Sequence, residues 1–162
     1  MSSMTIGVIF VSLSFVPPLC AADDGCSLLT PARISQVLGV QVGPGTHSSE
    51  TPGGRLLCTW NPPGAVPMGD TKRVMIHLYA PIGRLTPADR FANLKKPVLN
   101  GVANTPVKGI GDDALFLKNG AMLKRLCVKK GESVFEISVG GFSEAETEAL
   151  EKTLARDALS RL

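Results

Sequence analysis

The chain is poor in the groups that catalysis and metal binding most often use. It has two histidines, His47 and His77, which stand 30 residues apart in a loop and on a strand, outside any recognisable metal-ligand pattern, so both read as surface residues. Aromatic residues make up only 5% of the composition, and none lies among the basic residues of 118–130, which leaves no base-stacking surface there for nucleic acid. A net charge of +3 is too small to argue for a nucleic-acid partner by itself. No catalytic or cofactor motif is present. Gly141-Phe142-Ser143-Glu144-Ala145 echoes a nucleophile elbow, but alanine replaces the last glycine and Ser143 is better placed as a helix cap.

Long apolar runs are also lacking, and the one short run is informative. Residues 6–16 form an apolar core of about a dozen residues, too short for a membrane span, and Cys20-Ala21-Ala22 follows as a small-x-small cleavage signal. The expectation is a secretory signal peptide over residues 1–22, despite the absence of Lys or Arg near Met1. A lipid-anchored alternative at Cys20 fits less well, because Pro17, Pro18 and Leu19 precede the cysteine where a lipobox wants a leucine followed by small residues. Cleavage leaves residues 23–162, one ordinary domain that buries roughly two-thirds of its surface, with no transmembrane span and a periplasmic or secreted location.

Export favours pairing two of Cys26, Cys58 and Cys127. Cys26 with Cys58 ties the start of the domain to its first strand and closes a loop of 32 residues. Cys58 with Cys127, on neighbouring strands, is the competing pair.

The hydrophobic pattern predicts an α+β domain in the order α-β-β-α-β-β-β-α. Thr30 caps a helix that Pro31 opens and Gly39 ends, with Ile34, Val37 and Leu38 as its apolar stripe. Residues 42–54, rich in Gly and Pro, read as a surface loop. Residues 56–60 and 72–80 read as a pair of strands with a long connection, Val74, Ile76 and Leu78 pointing one way. Leu85-Thr86-Pro87-Ala88 repeats Leu29-Thr30-Pro31-Ala32 and opens a second helix with Phe91 and Leu94 inward; the repeat is compatible with a duplicated unit or with a common helix opener. After a loop over 97–111, residues 114–117, 122–128 and 133–139 form a meander. Ser143 and Glu146 make a capping box for a closing helix whose apolar positions are Ala149, Leu150, Leu154, Ala158, Leu159 and Leu162. The predicted architecture is an antiparallel sheet of about five strands with helices on one face and the other face partly open.

Three features are candidates for function. Lys118, Lys124, Arg125, Lys129 and Lys130 put five positive charges and no acid on residues 118–130, a ribbon suited to an anionic envelope polymer, a lipid headgroup or an acidic protein, or else to protecting a sheet edge. Gly109-Ile110-Gly111-Asp112-Asp113 offers only an adjacent acidic pair, which suits a structural turn better than a calcium loop. Cys127, between Arg125 and Lys129, is a reactive thiol if exposed and an inert one if buried.

Cys26-Ser27-Leu28-Leu29-Thr30, Val37-Leu38-Gly39, Cys58-Thr59-Trp60 and residues 107–114, followed by a basic hairpin and a closing helix, resemble in that order the large actinobacterial lipoprotein family of unknown function. The resemblance implies an envelope-side α+β domain with a Cys26–Cys58 bridge and brings no catalytic residues with it; the missing lipobox departs from the family's anchored members. The reading is a non-enzymatic exported binding module using an open sheet face and the basic hairpin. A thiol-dependent or hydrolytic enzyme using Cys127 is the alternative.

Overall fold

The helix openers act as the sequence predicts. In the computed structural model, which describes residues 24–51, 55–65, 71–96, 102–119 and 124–162, a short 3₁₀ turn at Gly25–Ser27 leads into α1 (Pro31–Leu38). The Thr30 hydroxyl accepts the Arg33 amide, and Gly39 stops the helix at φ 65°, a left-handed conformation that glycine adopts without strain. In α2 (Pro87–Leu94) the Thr86 hydroxyl and the Asp89 carboxylate accept each other's backbone amides, and Ser143 with Glu146 repeats the arrangement at the start of α3 (Glu144–Leu159). The expected leader at residues 1–22 lies outside the described residues. No helix among the described residues is long and apolar enough to cross a membrane.

Among the described residues, seven strands form one antiparallel sheet rather than about five. They are β1 (Thr46–Thr51), β2 (Arg55–Trp60), β3 (Arg73–Tyr79), β4 (Val102–Val107), β5 (Asp113–Asn119), β6 (Arg125–Lys130) and β7 (Ser133–Gly140), in the spatial order β1-β2-β3-β7-β6-β5-β4. The two additional strands are the edges, and both fall in segments that read as loops. β1, Thr-His-Ser-Ser-Glu-Thr, contains no apolar residue, and β4 carries Pro106, which an edge strand tolerates because one side of its backbone has no ladder to feed. The expected pairing of β2 with β3 and the meander β5-β6-β7 are present.

Helices cover both faces of this sheet, not one. The main core lies under α1 and α3, where Trp60, Val74, Ile76, Phe116, Leu126, Phe135, Ile137 and Leu154 are almost wholly enclosed. On the reverse face α2 covers only part of the sheet, burying Phe91 against Tyr79, Leu115, Leu117, Cys127 and Val134. The helices opened by the two Leu-Thr-Pro-Ala motifs therefore sit on opposite faces.

The buried side of α3 is also turned relative to the expected stripe. Thr147, Glu151, Leu154, Ala155 and Ala158 face the sheet, Leu150 and Leu159 lie at the margins, and Ala149 and Leu162 are exposed. Glu151 occupies this inner side for a reason that the sheet supplies. β6 pairs with β7 no further than Leu126 opposite Ile137, and the amide of Val139, beyond the end of that ladder, donates to Glu151 Oε1 at 3.0 Å.

Candidate functional site

Strand alternation divides the basic ribbon between the two faces. Lys118 and Lys124 share the side of Ala114, Phe116 and Leu126, and both meet acids of α3: Lys118 Nζ donates to Glu144 Oε1 at 2.9 Å, and Lys124 Nζ reaches Glu144 Oε1 at 3.4 Å and the Glu148 carboxylate. The Glu148 carboxylate holds the Lys124 ammonium above the ordinary lysine range, and Lys118 holds Glu144 below the ordinary carboxylate range. Lys130 Nζ donates to Asp112 Oδ1 at 3.0 Å. Arg125 and Lys129 belong to the other face, with Cys127 between them. The local sequence contains no acid, but the fold brings acids from α3, from β7 and from the loop before β5.

On that reverse face an enclosed carboxylate organises a polar cluster. Glu136, in the central strand β7, is the cross-strand partner of His77 on β3 and of Cys127 on β6, so the three share one row across the sheet. It is 1% exposed. The Tyr79 hydroxyl donates to Glu136 Oε1, while His77 Nδ1 and Arg125 Nε each lie 3.6 Å from Oε2. A carboxylate so fully withdrawn from water is tolerated only with partners of this kind, and removing one of them leaves the charge uncompensated. The side chains of His77 and Arg125 keep partial access to solvent, 19% and 32%, and form a lip above the acid. His77 is thus half-buried and engaged, unlike the surface residue that its place on an alternating strand suggests.

Tyr79 links the cluster to a groove. Its ring lies beneath the Arg90 guanidinium at 4.2 Å, and Tyr79, Arg90, Asn93 and Leu94 line an open depression of about 240 Å³ beside α2. A second hollow, about 90 Å³ between Lys95, Asn104, Pro106 and Asp113, has room for a few waters only. The partly covered face thus presents His77 and Arg125 above the enclosed Glu136, Arg90 over Tyr79, and Lys129 further along β6 opposite Asp113.

Other candidates have structural work. Gly109 and Gly111 take φ 74° and 61°, and Asp112 accepts the Gly131 amide at 2.7 Å together with the Lys130 ammonium, which holds its carboxyl below the ordinary range. Ser143 caps α3. Cys127 is fully buried, and Cys26 is bridged to Cys58. Sequence reasoning missed a second grouping, in which His47 on β1 lies beside Asp24 and Cys26.

No family model, no curated protein and no solved structure matches the chain.

Proposed function

We propose that the protein is an exported, envelope-side binding module without catalytic activity, and that it receives an anionic group on the reverse face of its sheet. The observation that carries this reading is the division of the ribbon. Lys118, Lys124 and Lys130 are engaged with acids of α3 and of the loop before β5, whereas Arg125 and Lys129 stand on the face that a two-turn helix covers only in part, where Arg125, although 3.6 Å from Glu136 Oε2, keeps 32% of its side chain exposed above that acid. Arginine suits such a surface because its planar fork matches carboxylate and phosphate oxygens in pairs. Among anionic envelope polymers, lipid headgroups and acidic proteins, the repeated charge of a polymer best suits cations spread along one strand and one helix.

Burial of Cys127 argues against the thiol-enzyme alternative, since a sulfur shielded from solvent on both sides is a poor nucleophile. A thiol reagent should label Cys127 only after unfolding; labelling in the folded protein would restore that alternative. For the leader, N-terminal sequencing of protein from the envelope fraction should begin at Asp23, and retention of Met1 in the cytoplasm would refute export.

Binding is tested with immobilised polyphosphate, anionic vesicles and an acidic peptide in parallel. Association should be strongest for the polymer, weaken as salt screens the exposed charges, fall in Lys129→Gln, and disappear in Arg125→Gln/Lys129→Gln, with Trp60 fluorescence checking that loss of the Arg125 partner of Glu136 leaves the fold intact. Lys118→Gln/Lys124→Gln should bind like the parent. Equal binding by both double variants, or no binding at low salt, would refute the assignment of the reverse face.

A further inference from the structure

The Cys26–Cys58 bridge brings together three groups that the sequence keeps apart. Asp24 precedes the 3₁₀ turn and accepts the Cys26 amide through Oδ1 at 2.9 Å, which holds its carboxylate beside that residue. His47, 21 residues beyond Cys26, is the cross-strand partner of Cys58 on β2. The bridge therefore leaves Cys26 Sγ 3.7 Å from His47 Nδ1, and the same nitrogen lies 3.3 Å from Asp24 Oδ1. The three donor atoms all lie within 4.8 Å of one another.

These separations match the edges of a metal polyhedron. A tetrahedral ion with a sulfur ligand at about 2.3 Å and nitrogen and oxygen ligands at about 2.0–2.1 Å sets sulfur and nitrogen roughly 3.5 Å apart, and nitrogen and oxygen roughly 3.3 Å apart. Thiolate, imidazole and carboxylate are the donor types that a zinc-class ion takes. The site is open to an entering ion, the side chains of His47 and Asp24 being 63% and 40% exposed. What stands in the way is the bridge itself, because the metal ligand is a thiolate and the Cys26 sulfur is shared with Cys58.

We infer that reduction of the Cys26–Cys58 bridge creates a zinc-class site of Asp24, Cys26 and His47, so that the disulfide and the metal are mutually exclusive states of one sulfur. A dithiol supplies the two electrons. Its thiolate attacks the half-buried Cys26 Sγ, the S–S bond breaks with its electron pair passing to Cys58, and Cys58 takes up a proton. The second thiol of the reductant then closes its own disulfide and releases Cys26 as a thiolate, which binds the ion with His47 Nδ1 and the Asp24 carboxylate. Cys58 is wholly enclosed beside Gly45, whereas the exposed side chains of His47 and Asp24 leave the ion open to solvent.

The test is titration of the full domain with Zn²⁺ against a chromogenic chelator, and with Co²⁺ to detect thiolate coordination by its charge-transfer absorption. Trp60, the only tryptophan and a buried one, reports by fluorescence that the fold is retained. Reduced protein and Cys58→Ser should each bind one ion with release of the Cys26 proton, and oxidised protein should bind none at the same concentrations. His47→Ala, an exposed substitution made in the wild-type chain and assayed reduced, should weaken binding about tenfold or more. Equal binding by oxidised and reduced protein, reduced binding that is absent or unaffected by His47→Ala, or loss of the fold in both the reduced chain and Cys58→Ser would overturn the inference.

Discussion

Replacing Glu151 by glutamine should abolish a pH dependence of stability that the native carboxyl imposes on the fold. Glu151 is wholly buried on the inner side of α3; burial pushes its pKa up from 4.5 to about 9, with Glu148 adding to the rise while the Val139 amide and Lys124 oppose it. The native state therefore holds a proton that the unfolded chain releases in the acid range. Between those two values the native state binds the extra proton, so stability is complete below the ordinary glutamate value and falls as pH rises towards the folded one. The slope approaches about 1.4 kcal/mol per pH unit, and from about pH 5 to about pH 8 the loss reaches roughly 4 kcal/mol, a large part of the total stability of a domain this size. Glutamine keeps the carbonyl that accepts the Val139 amide and has no proton to lose. Its amide group takes the place of Oε2, which has no hydrogen-bond partner among the described residues. Asp89, Asp112, Glu144 and Glu146 are all held below the ordinary carboxylate range, so their contributions are lost on the acid side of this window. Urea unfolding followed through Trp60 at several pH values reads the effect directly: the wild-type midpoint should fall with rising pH, while that of Glu151→Gln stays level. Parallel profiles for the two proteins, or a wild-type midpoint that rises across the window, would refute the reasoning.

Other perturbations read different parts of the structure. Removing the bridge with Cys26→Ala/Cys58→Ala should cost roughly 3–4 kcal/mol in denaturant unfolding, because a loop of 32 residues is no longer closed in the unfolded chain. Gly45→Ala should lower the melting temperature at a cost of about 1–3 kcal/mol, since its Cβ would approach Cys58 Sγ to 2.6 Å and the Trp60 indole nitrogen to 2.8 Å. Lys118→Gln/Lys124→Gln should lose only about 0.2–1 kcal/mol for each ion pair broken, and the difference from the parent should shrink in high salt.

The interior strands were legible because burial leaves a mark on composition. Val74, Ile76 and Leu78 alternate along β3, and the meander is punctuated by Gly131, so period and turn chemistry agree. The edge strands have no such mark. β1 rests on one neighbour and needs no apolar face, and in β4 the valines at the two ends, Val102 and Val107, pack on the core while Pro106 between them counts against a strand everywhere except at an edge. The side of the sheet that a helix covers is equally silent in sequence: α2 shows an inward Phe91 and Leu94, but nothing in its own residues says which face they meet.

The candidate sites depend on the same distinction between what is local and what is brought together. Glu136 did carry a signal, because a carboxylate between Phe135 and Ile137 in the middle of an apolar run belongs either to a surface or to a cluster, and a central strand leaves only the cluster. His77 and Tyr79 become its partners through the β3–β7 register, and Arg125 through the course of β6, neither of which an inspection of spacing supplies. The charge of residues 118–130 misleads in the opposite direction: its five cations sum along the chain, but alternation sends Lys118 and Lys124 towards α3 and leaves Arg125 and Lys129 on the reverse face. Charge counted along a strand therefore has to be divided by face before it describes a surface, and here that division sends Lys118 and Lys124 to the acids of α3 and Arg125 to the enclosed Glu136 on the other side.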